Sequence, residues 1–377
     1  MTCVTERRRE RGRAMSTGRA IAPFALLSLV LIALLCLVPL ASASYDPLGS
    51  GATKLTFDRG FLSFLKKNGV TLQAKAPAKL KAGALTLPVS EGEMDPTTGK
   101  GEIDQEGVLV FKKGKLAVPF KKLTLKTKRT PLQAKVGGSQ LKVASAKKIA
   151  SSRDGFGADF SAKGLELTAK VATRLDKKLH LGKAFAEGQP IGSLKAKTQP
   201  QTVAILPTNR ATLVPDPGFL AKLKSLFVSL NPISPAELSP GPVLSFPIVL
   251  GGQLAPDASA GTLRTGGSIE FLQQGAGQIF QHEFWTDLGA KATSAEVDIE
   301  PAPTFPGKLG RIGVLGLDMA GSSISPNPKA RTIAVSGASL TLTAQTAASF
   351  NEAFAERKDV FHAGERFGTL SFTAQGQ

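Results

Sequence analysis

Residues 85–89 read Leu-Thr-Leu-Pro-Val, and residues 244–248 read Leu-Ser-Phe-Pro-Ile, 159 positions later. Around these stretches, three glycines and one phenylalanine recur at a spacing of 160: Gly92, Gly101, Gly107 and Phe111 return as Gly252, Gly261, Gly267 and Phe271. A pattern that repeats over such a distance indicates one folding unit present twice. The sequence therefore predicts two copies of one fold.

The end of each copy repeats as well. Residues 167–176 resemble residues 342–351, and four later positions recur: Phe185, Gly188, Gly192 and Leu194 return as Phe361, Gly364, Gly368 and Leu370. Because the spacing has grown here, the second copy has gained about 15 residues, which we place in a loop within the Pro- and Gly-rich stretch 301–328.

Most segments of each copy read as strands, because they are short, alternate in polarity and are bounded by turn residues; they include 107–111, 116–120, 123–125 and 268–271. Asp58 and Thr168 are candidate helix caps for residues 59–67 and 169–179, and 343–355 is the counterpart of the latter. The predicted fold class is mainly β: two tandem β-sandwich or barrel-like domains, each with one or two short helices.

The first 43 residues read as a signal peptide. Six Arg lie within residues 6–19, an apolar run follows over 21–40, and Ala41-Ser42-Ala43 matches a cleavage site. An uncleaved membrane anchor is the alternative, and it would be the chain's only link to a membrane. Cleavage after Ala43 removes Cys3 and Cys36, hence all disulfide and thiolate chemistry. We expect a secreted or cell-surface protein.

Apolar periodicity lapses over residues 196–210, which suggests a boundary. We therefore predict a first domain over 44–200, a linker over 201–210 and a second domain over 211–377. Of the formal net charge of +18, residues 45–210 contribute +17 and residues 211–377 contribute −3. Two copies of one fold thus carry opposite net charges.

A candidate polyanion-binding surface lies in the first domain, at Lys112, Lys113, Lys115, Lys121, Lys122, Lys126, Lys128 and Arg129. Lysines act as point charges and lack the forked donors that read nucleic-acid bases, so we expect no specific nucleic-acid binding. Attraction to an acidic envelope polymer or an anionic lipid surface is one interpretation. The other is that these lysines only solubilise exposed strands and sheet edges.

The segment 278–285 is the most ligand-like part of the chain. Strand alternation predicts that Phe280, His282 and Phe284 share one face, so that an imidazole lies between two phenyl rings. The imidazole could be an axial metal ligand in an apolar pocket, or a core or interface histidine that hydrogen-bonds a neighbour. We interpret the other two histidines, His180 and His362, as surface residues.

Two acidic segments, with Glu91, Glu93 and Asp95 in one and Glu102, Asp104 and Glu106 in the next, could hold Ca²⁺ in a hairpin or could compensate nearby lysines. The second interpretation is favoured, and no metal site is predicted. The common hydrolase, nucleotide-binding and zinc-protease motifs are absent from the sequence. We therefore predict a protein that is not an enzyme.

Both copies resemble the HtaA domain of exported actinobacterial proteins. The resemblance lies in the predicted helix followed by Asn68-Gly69-Val70, in Leu87-Pro88-Val89 with Gly92 and Asp95, and in the runs 107–111 and 167–194. It implies haem binding through a tyrosine ligand supported by a histidine.

The resembling segments lack that ligand. Residues 55–64 contain neither Trp nor Tyr, and residues 215–223 also lack both. A phenyl ring has no donor atom for iron, and the sole tyrosine, Tyr45, follows the predicted cleavage site. No cofactor is certain. The resemblance implies a binder of haem or another apolar ligand, and the alternative is a structural or adhesive envelope protein that holds acidic polymer through its Lys-rich first domain.

Overall fold

The computed structural model describes residues 45–127, 130–300, 307–356 and 358–377. We call residues 45–200 the first repeat and 201–377 the second repeat. The first repeat contains helices α1 (Arg59–Lys67) and α2 (Ala169–Leu179) and strands β1 (Asp46–Phe57), β2 (Thr71–Lys75), β3 (Lys79–Lys81), β4 (Ala84–Met94), β5 (Gly101–Gln105), β6 (Val108–Lys113), β7 (Leu116–Lys126), β8 (Thr130–Val136), β9 (Ser139–Asp154), β10 (Gly157–Leu167) and β11 (Pro190–Pro200).

The second repeat follows the same order of elements. Its helices are α3 (Pro217–Ser225) and α4 (Ala344–Phe354), and its strands are β12 (Val203–Leu206), β13 (Arg210–Pro215), β14 (Val228–Ile233), β15 (Glu237–Ser239), β16 (Val243–Pro247), β17 (Gln253–Leu254), β18 (Gly261–Arg264), β19 (Ser268–Gln273), β20 (Gly277–Asp287), β21 (Ala292–Glu300), β22 (Lys308–Asp318), β23 (Ser323–Asn327), β24 (Thr332–Leu342) and β25 (Arg366–Gly376).

Each repeat closes its sheet into an antiparallel barrel. Among the described residues of the first repeat, the ring runs β7-β5-β4-β1-β11-β10-β9-β8, and β8 pairs back to β7 where Lys135 faces Lys121. In the second repeat the ring runs β12-β17-β18-β20-β21-β22-β24-β25, closed where Ile205 faces Gly376. Closure satisfies the strand edges that an open sheet would expose. The mainly-β prediction is confirmed.

The predicted helices are also confirmed, although their caps differ. The Thr343 hydroxyl accepts from the Thr346 N–H at 3.1 Å and so caps α4. The Asp58 side chain caps no N–H of α1, and the Thr168 hydroxyl instead donates to the Lys142 carbonyl at 2.6 Å. Within the part of the chain that the structure describes, no helix is long and apolar enough to span a membrane.

Close approach of backbones explains the recurring glycines. Gly107 (φ 104°) and Gly267 (φ 91°) both lie in the left-handed region. A Cβ on Gly107 would meet the Ala78 nitrogen at 2.8 Å, and one on Gly267 would meet the Ala236 nitrogen at 2.4 Å. Glycine alone fits such a position, because it has no Cβ and tolerates positive φ.

Two expectations about loops were wrong in part. Strand β12 lies inside the stretch 201–210, which was predicted as a linker. In the second barrel this strand takes the position that the first residues of β1 take in the first barrel. Strands β22 and β23 lie within 301–328, which was predicted as a loop, while residues 301–306 lie outside the described residues. The leader, 1–43, also lies outside them.

Each barrel has its own hydrophobic core, and one residue of the first repeat joins the core of the second. Phe156, in the turn between β9 and β10, is 5% exposed and belongs to the same buried core as Val203 and Phe372 of the second repeat. Arg153 next to this turn donates to the Gln377 main-chain oxygen at 2.7 Å. The two repeats therefore share a packed interface.

Candidate functional sites

The helix that opens the first repeat packs into a cluster of phenyl rings. Phe61 of α1 lies 6.0 Å from Phe57 and 6.5 Å from Phe185 between ring centroids, and Phe64 lies 5.1 Å from Phe185. These rings occupy the segment where the family resemblance implies an iron-ligating tyrosine. None of them offers a donor atom for iron.

The second repeat repeats this arrangement with more complete burial. Phe219 of α3 lies 4.8 Å from Phe367, and Phe271 lies 4.8 Å from Phe350. All four rings are less than 2% exposed, so they form a close-packed core. The residues present at the implied haem position therefore do not fit haem in either repeat.

The interior of the second barrel leaves only a small cavity, of about 40 Å³. Its lining includes Phe246, Leu263, Ile269 and a buried pair, Thr286 and Thr293, whose hydroxyls are 3.0 Å apart. A space of this size suits a water molecule and is far too small for a porphyrin. The barrel interior is therefore not a haem pocket.

The predicted shared face of Phe280, His282 and Phe284 was wrong, because β20 contains a β-bulge. The register shifts between His282 and Trp285, and Glu283 has φ 54°. An extra residue reverses the alternation. Phe284 therefore points into the core, 5.5 Å from Phe246, while Phe280 and His282 are half-buried on the other face.

On that outer face His282 contacts an acid. Its Nε2 lies 3.4 Å from Asp298 Oδ2 on the neighbouring strand β21. A bulge also occurs in β7, where Lys122 has φ 49°. The buried counterpart of Phe120 is Gln281, one residue later than the spacing of 160 implies, because the turn between β19 and β20 is one residue longer than the turn between β6 and β7. The slip arises in this hairpin, so it gives no sequence signal of the bulge, which both repeats contain.

Trp285, beside the bulge, has two guanidinium groups stacked on its indole. The guanidinium carbons of Arg264 and Arg311 lie 4.1 and 3.8 Å from the ring centroid. Arg311 also pairs with Glu296 at 3.1 Å and Glu283 at 3.3 Å. The indole is therefore engaged in cation–π contacts within the protein. Sequence reasoning missed this group, because Arg264 and Arg311 are distant in the chain.

The predicted polyanion-binding residues lie mainly along β6 and β7. The β6–β7 hairpin carries Lys112 and Lys113 at the end of β6 and Lys115 in the turn. Lys121 and Lys122 are exposed further along β7. Lys126 pairs with Glu102 at 3.0 Å, so its charge is compensated. Two further members of the predicted set, Lys128 and Arg129, lie outside the described residues.

The acidic segments do form neighbouring strands, with Glu91 facing Asp104 and Glu93 facing Glu102. Asp104 accepts from the Thr124 hydroxyl at 2.6 Å. Asp95 accepts hydrogen bonds from residues of the turn that follows it. Burial raises the pKa of Asp95, but the hydrogen bonds from Thr98 and Thr97 have the larger combined effect and hold that pKa below its ordinary value. No cluster of three metal-ligating side chains occurs among the described residues.

The interface between the repeats contains a buried carboxylate. Asp46 on β1 is 3% exposed, and its Oδ1 accepts from the Ala204 N–H of the second repeat at 3.3 Å. Burial raises the pKa of Asp46 to about 6, despite the opposing effects of the Ala204 hydrogen bond and the Arg153 charge. This group was not singled out from the sequence, because its burial depends on the second repeat.

No family model matches the sequence, and no curated protein matches it. Several solved structures are similar to it, among them two domains of one protein. The C-terminal domain of HtaA from Corynebacterium glutamicum is 17% identical to this chain. The match covers 46% of this chain and 98% of that domain, with a TM-score of 0.35. The N-terminal domain of HtaA from the same organism is 14% identical, covers 45% and 98%, and has a TM-score of 0.32. Both come from the family that the sequence resembles.

Proposed function

We propose that this protein is an exported, non-enzymatic binding protein whose first repeat holds an acidic polymer of the cell envelope. The observation that carries the proposal is the difference in charge between two barrels of one topology, +16 for the first repeat (residues 45–200) against −2 for the second (residues 201–377). Because the same fold forms with either charge, the excess of lysine is not needed for folding. It is a property of the surface.

Few of these lysines are neutralised within the protein. In the described part of the first repeat, Lys126, Lys147 and Lys197 pair with carboxylates. The hairpin lysines Lys112 and Lys115 have no carboxylate partner there, so their charge faces outward. The signal peptide predicted over residues 1–43 supports export to the place where such polymers occur.

Retention on a poly-L-glutamate resin tests this function. We expect the protein to bind at low salt and to elute as the salt concentration rises, because exposed charges are screened within about 8 Å at physiological ionic strength. Absence of retention at low salt, or retention that does not change with salt, would contradict the proposal.

A second candidate function is haem binding through His282. It is favoured by the Asp298 carboxylate at 3.4 Å, since a second partner commonly orients a ligating imidazole. A hemin titration followed in the Soret region tests it: a shift that His282→Ala abolishes supports this site. A shift that survives the substitution places any haem elsewhere, and no shift at micromolar hemin removes the candidate.

A further inference from the structure

Lysines face lysines across neighbouring strands on the outside of the first barrel. Lys54 on β1 lies directly opposite Lys195 on β11, and Lys148 on β9 lies opposite Lys163 on β10. All four side chains are exposed. Like charges placed directly opposite each other destabilise a sheet. None of the four forms an ion pair with another described residue, so this repulsion is not relieved within the protein.

The second barrel shows that the fold does not require these charges. At the register position of Lys54 and Lys195 it has Thr212 opposite Ser371, and the Thr212 hydroxyl donates to the Ser371 carbonyl. The two repeats also differ in charge at the neighbouring strand pairs β3–β4 and β15–β16. Lys79 faces Thr86 in the first repeat, whereas Glu237 faces Ser245 in the second.

The lysines lie together on one surface. A single register row crosses β3, β4, β1, β11, β10 and β9 through Lys79, Thr86, Lys54, Lys195, Ser161 and Ala150. Neighbouring strands are about 5 Å apart, so Lys54 and Lys195 form a close pair with Lys79 two strands away. Lys148 and Lys163 lie two residues further along β9 and β10.

Small side chains form the floor between these lysines. Ala150, Ser152 and Ser161 line a shallow depression of about 320 Å³ on the outside of β9, β10 and β11, with Lys195 and Lys197 on its rim. Lys197 is compensated by Asp154 and Asp159, at 3.4 and 3.5 Å. The five lysines without a carboxylate partner, Lys54, Lys79, Lys148, Lys163 and Lys195, are here called the lysine face.

We propose that the lysine face is the surface on which the first repeat binds a linear, water-soluble polyanion. This inference rests on the proposed function and assigns it a surface distinct from the β6–β7 hairpin. A row of cations across several strands, above a floor of small residues, complements a chain with repeated negative charges. A membrane is the poorer partner, because the described part of the first repeat exposes no large apolar side chain except Tyr45.

The test compares two full-length variants with equal loss of charge. Lys54→Thr with Lys195→Ser introduces the residues of the second repeat, and Lys112→Thr with Lys115→Ser is the matched control in the hairpin. Dissociation constants for inorganic polyphosphate and for poly-L-glutamate are measured at low salt by Trp285 fluorescence or calorimetry. The two polymers distinguish phosphate from carboxylate chemistry. We expect roughly tenfold weaker binding for the face variant (about 1.4 kcal/mol), and at most about a twofold change for the control.

Thermal unfolding supplies a readout besides binding. Without polymer at low salt, the face variant should melt at a higher temperature than the wild type, because a like-charge pair is gone. Polymer should raise the melting temperature of the wild type more than that of this variant. Equal weakening of both variants would overturn the lysine face and leave the proposed function standing. No binding of either polymer by the wild type would overturn both, and binding to anionic phosphatidylglycerol vesicles alone would replace the polymer with a lipid surface.

Discussion

Asp46 is a buried residue whose ionisation affects the stability of this protein. Its Oδ2 is buried and has no hydrogen-bond partner among the described residues. Arg153 and Asp95 are the charged groups that act on it, with opposite effects. Because burial disfavours the charged carboxylate, the pKa of Asp46 rises from 3.8 to about 6.

The raised pKa predicts that Asp46 makes folding less favourable as the pH rises. Below about pH 4 the group is protonated in both the folded and the unfolded chain, so it has no effect. Between about pH 4 and 6 only the unfolded chain loses the proton, and the free energy of unfolding falls by up to about 3 kcal/mol. Asp46→Asn should therefore match the wild type near pH 4 and exceed it above pH 6.

Chemical denaturation at a series of pH values measures this difference. Asp58→Asn is the matched control, since Asp58 is exposed and makes no cap hydrogen bond. A difference between Asp46→Asn and the wild type that stays constant from pH 4 to 7 would show that Asp46 does not titrate as its burial implies.

Among the secondary-structure elements, the turns that precede β6 and β19 make the same close backbone contact in both repeats. Gly107 and Gly267 lie against the backbone of Ala78 and Ala236, each at a positive φ. The same contact therefore joins equivalent elements in both barrels. This is the physical basis of the glycine spacing that revealed the repeat.

Adding one methyl group at this contact should be costly. We predict that Gly267→Ala lowers the free energy of unfolding by about 3 kcal/mol, since the Cβ clashes with backbone and the φ is strained. Gly114→Ala is the control, because Gly114 also has a positive φ (56°) but open space around it; it should cost about 1 kcal/mol. Equal costs in urea denaturation would mean that the close approach does not matter.

At the scale of the whole molecule, the two barrels are joined by a side chain of the first that completes the core of the second. Phe156 belongs to the buried core of the second repeat, and a Cβ on Gly376 would lie 3.5 Å from its ring. The Arg153 hydrogen bond to Gln377 and the Asp46 hydrogen bond to Ala204 lie at the same interface. Stability of the second barrel is thus coupled to the first.

We predict that Phe156→Ala separates the unfolding of the two repeats. Loss of a buried phenyl ring costs about 3–5 kcal/mol, and here the loss falls on the core of the second repeat. Trp285, the single tryptophan, reports on that repeat by fluorescence, while circular dichroism reports on both. The fluorescence transition should move to lower temperature than the transition seen by circular dichroism.

Phe160→Ala is the control for this experiment. Phe160 is buried in the core of the first repeat and comes from the same strand pair. Its loss should therefore not move the tryptophan fluorescence transition to a lower temperature than the circular dichroism transition. Coincident transitions in both variants would mean that Phe156 does not couple the barrels.

Much of the fold could be predicted from local patterns. The helices at 59–67 and 169–179 follow from apolar spacing, and the repeat follows from the spacing of glycines along the chain. The outward direction of His282 could not be predicted in this way, because one residue at Glu283 in the left-handed region reverses the alternation of the strand. Strand β12 escaped prediction because it is short and is held by pairing with β17 and β25.

Composition and residue spacing are enough to establish the duplication, the mainly-β class, the charge difference between the repeats and the lack of a tyrosine ligand in the opening helices. Which residues meet depends on the folded structure. Strand register set Lys54 against Lys195, and barrel docking buried Asp46 and Phe156. Such contacts join residues far apart in the chain, and their energies depend on burial and on neighbouring charges that exist only after the barrels have closed and packed.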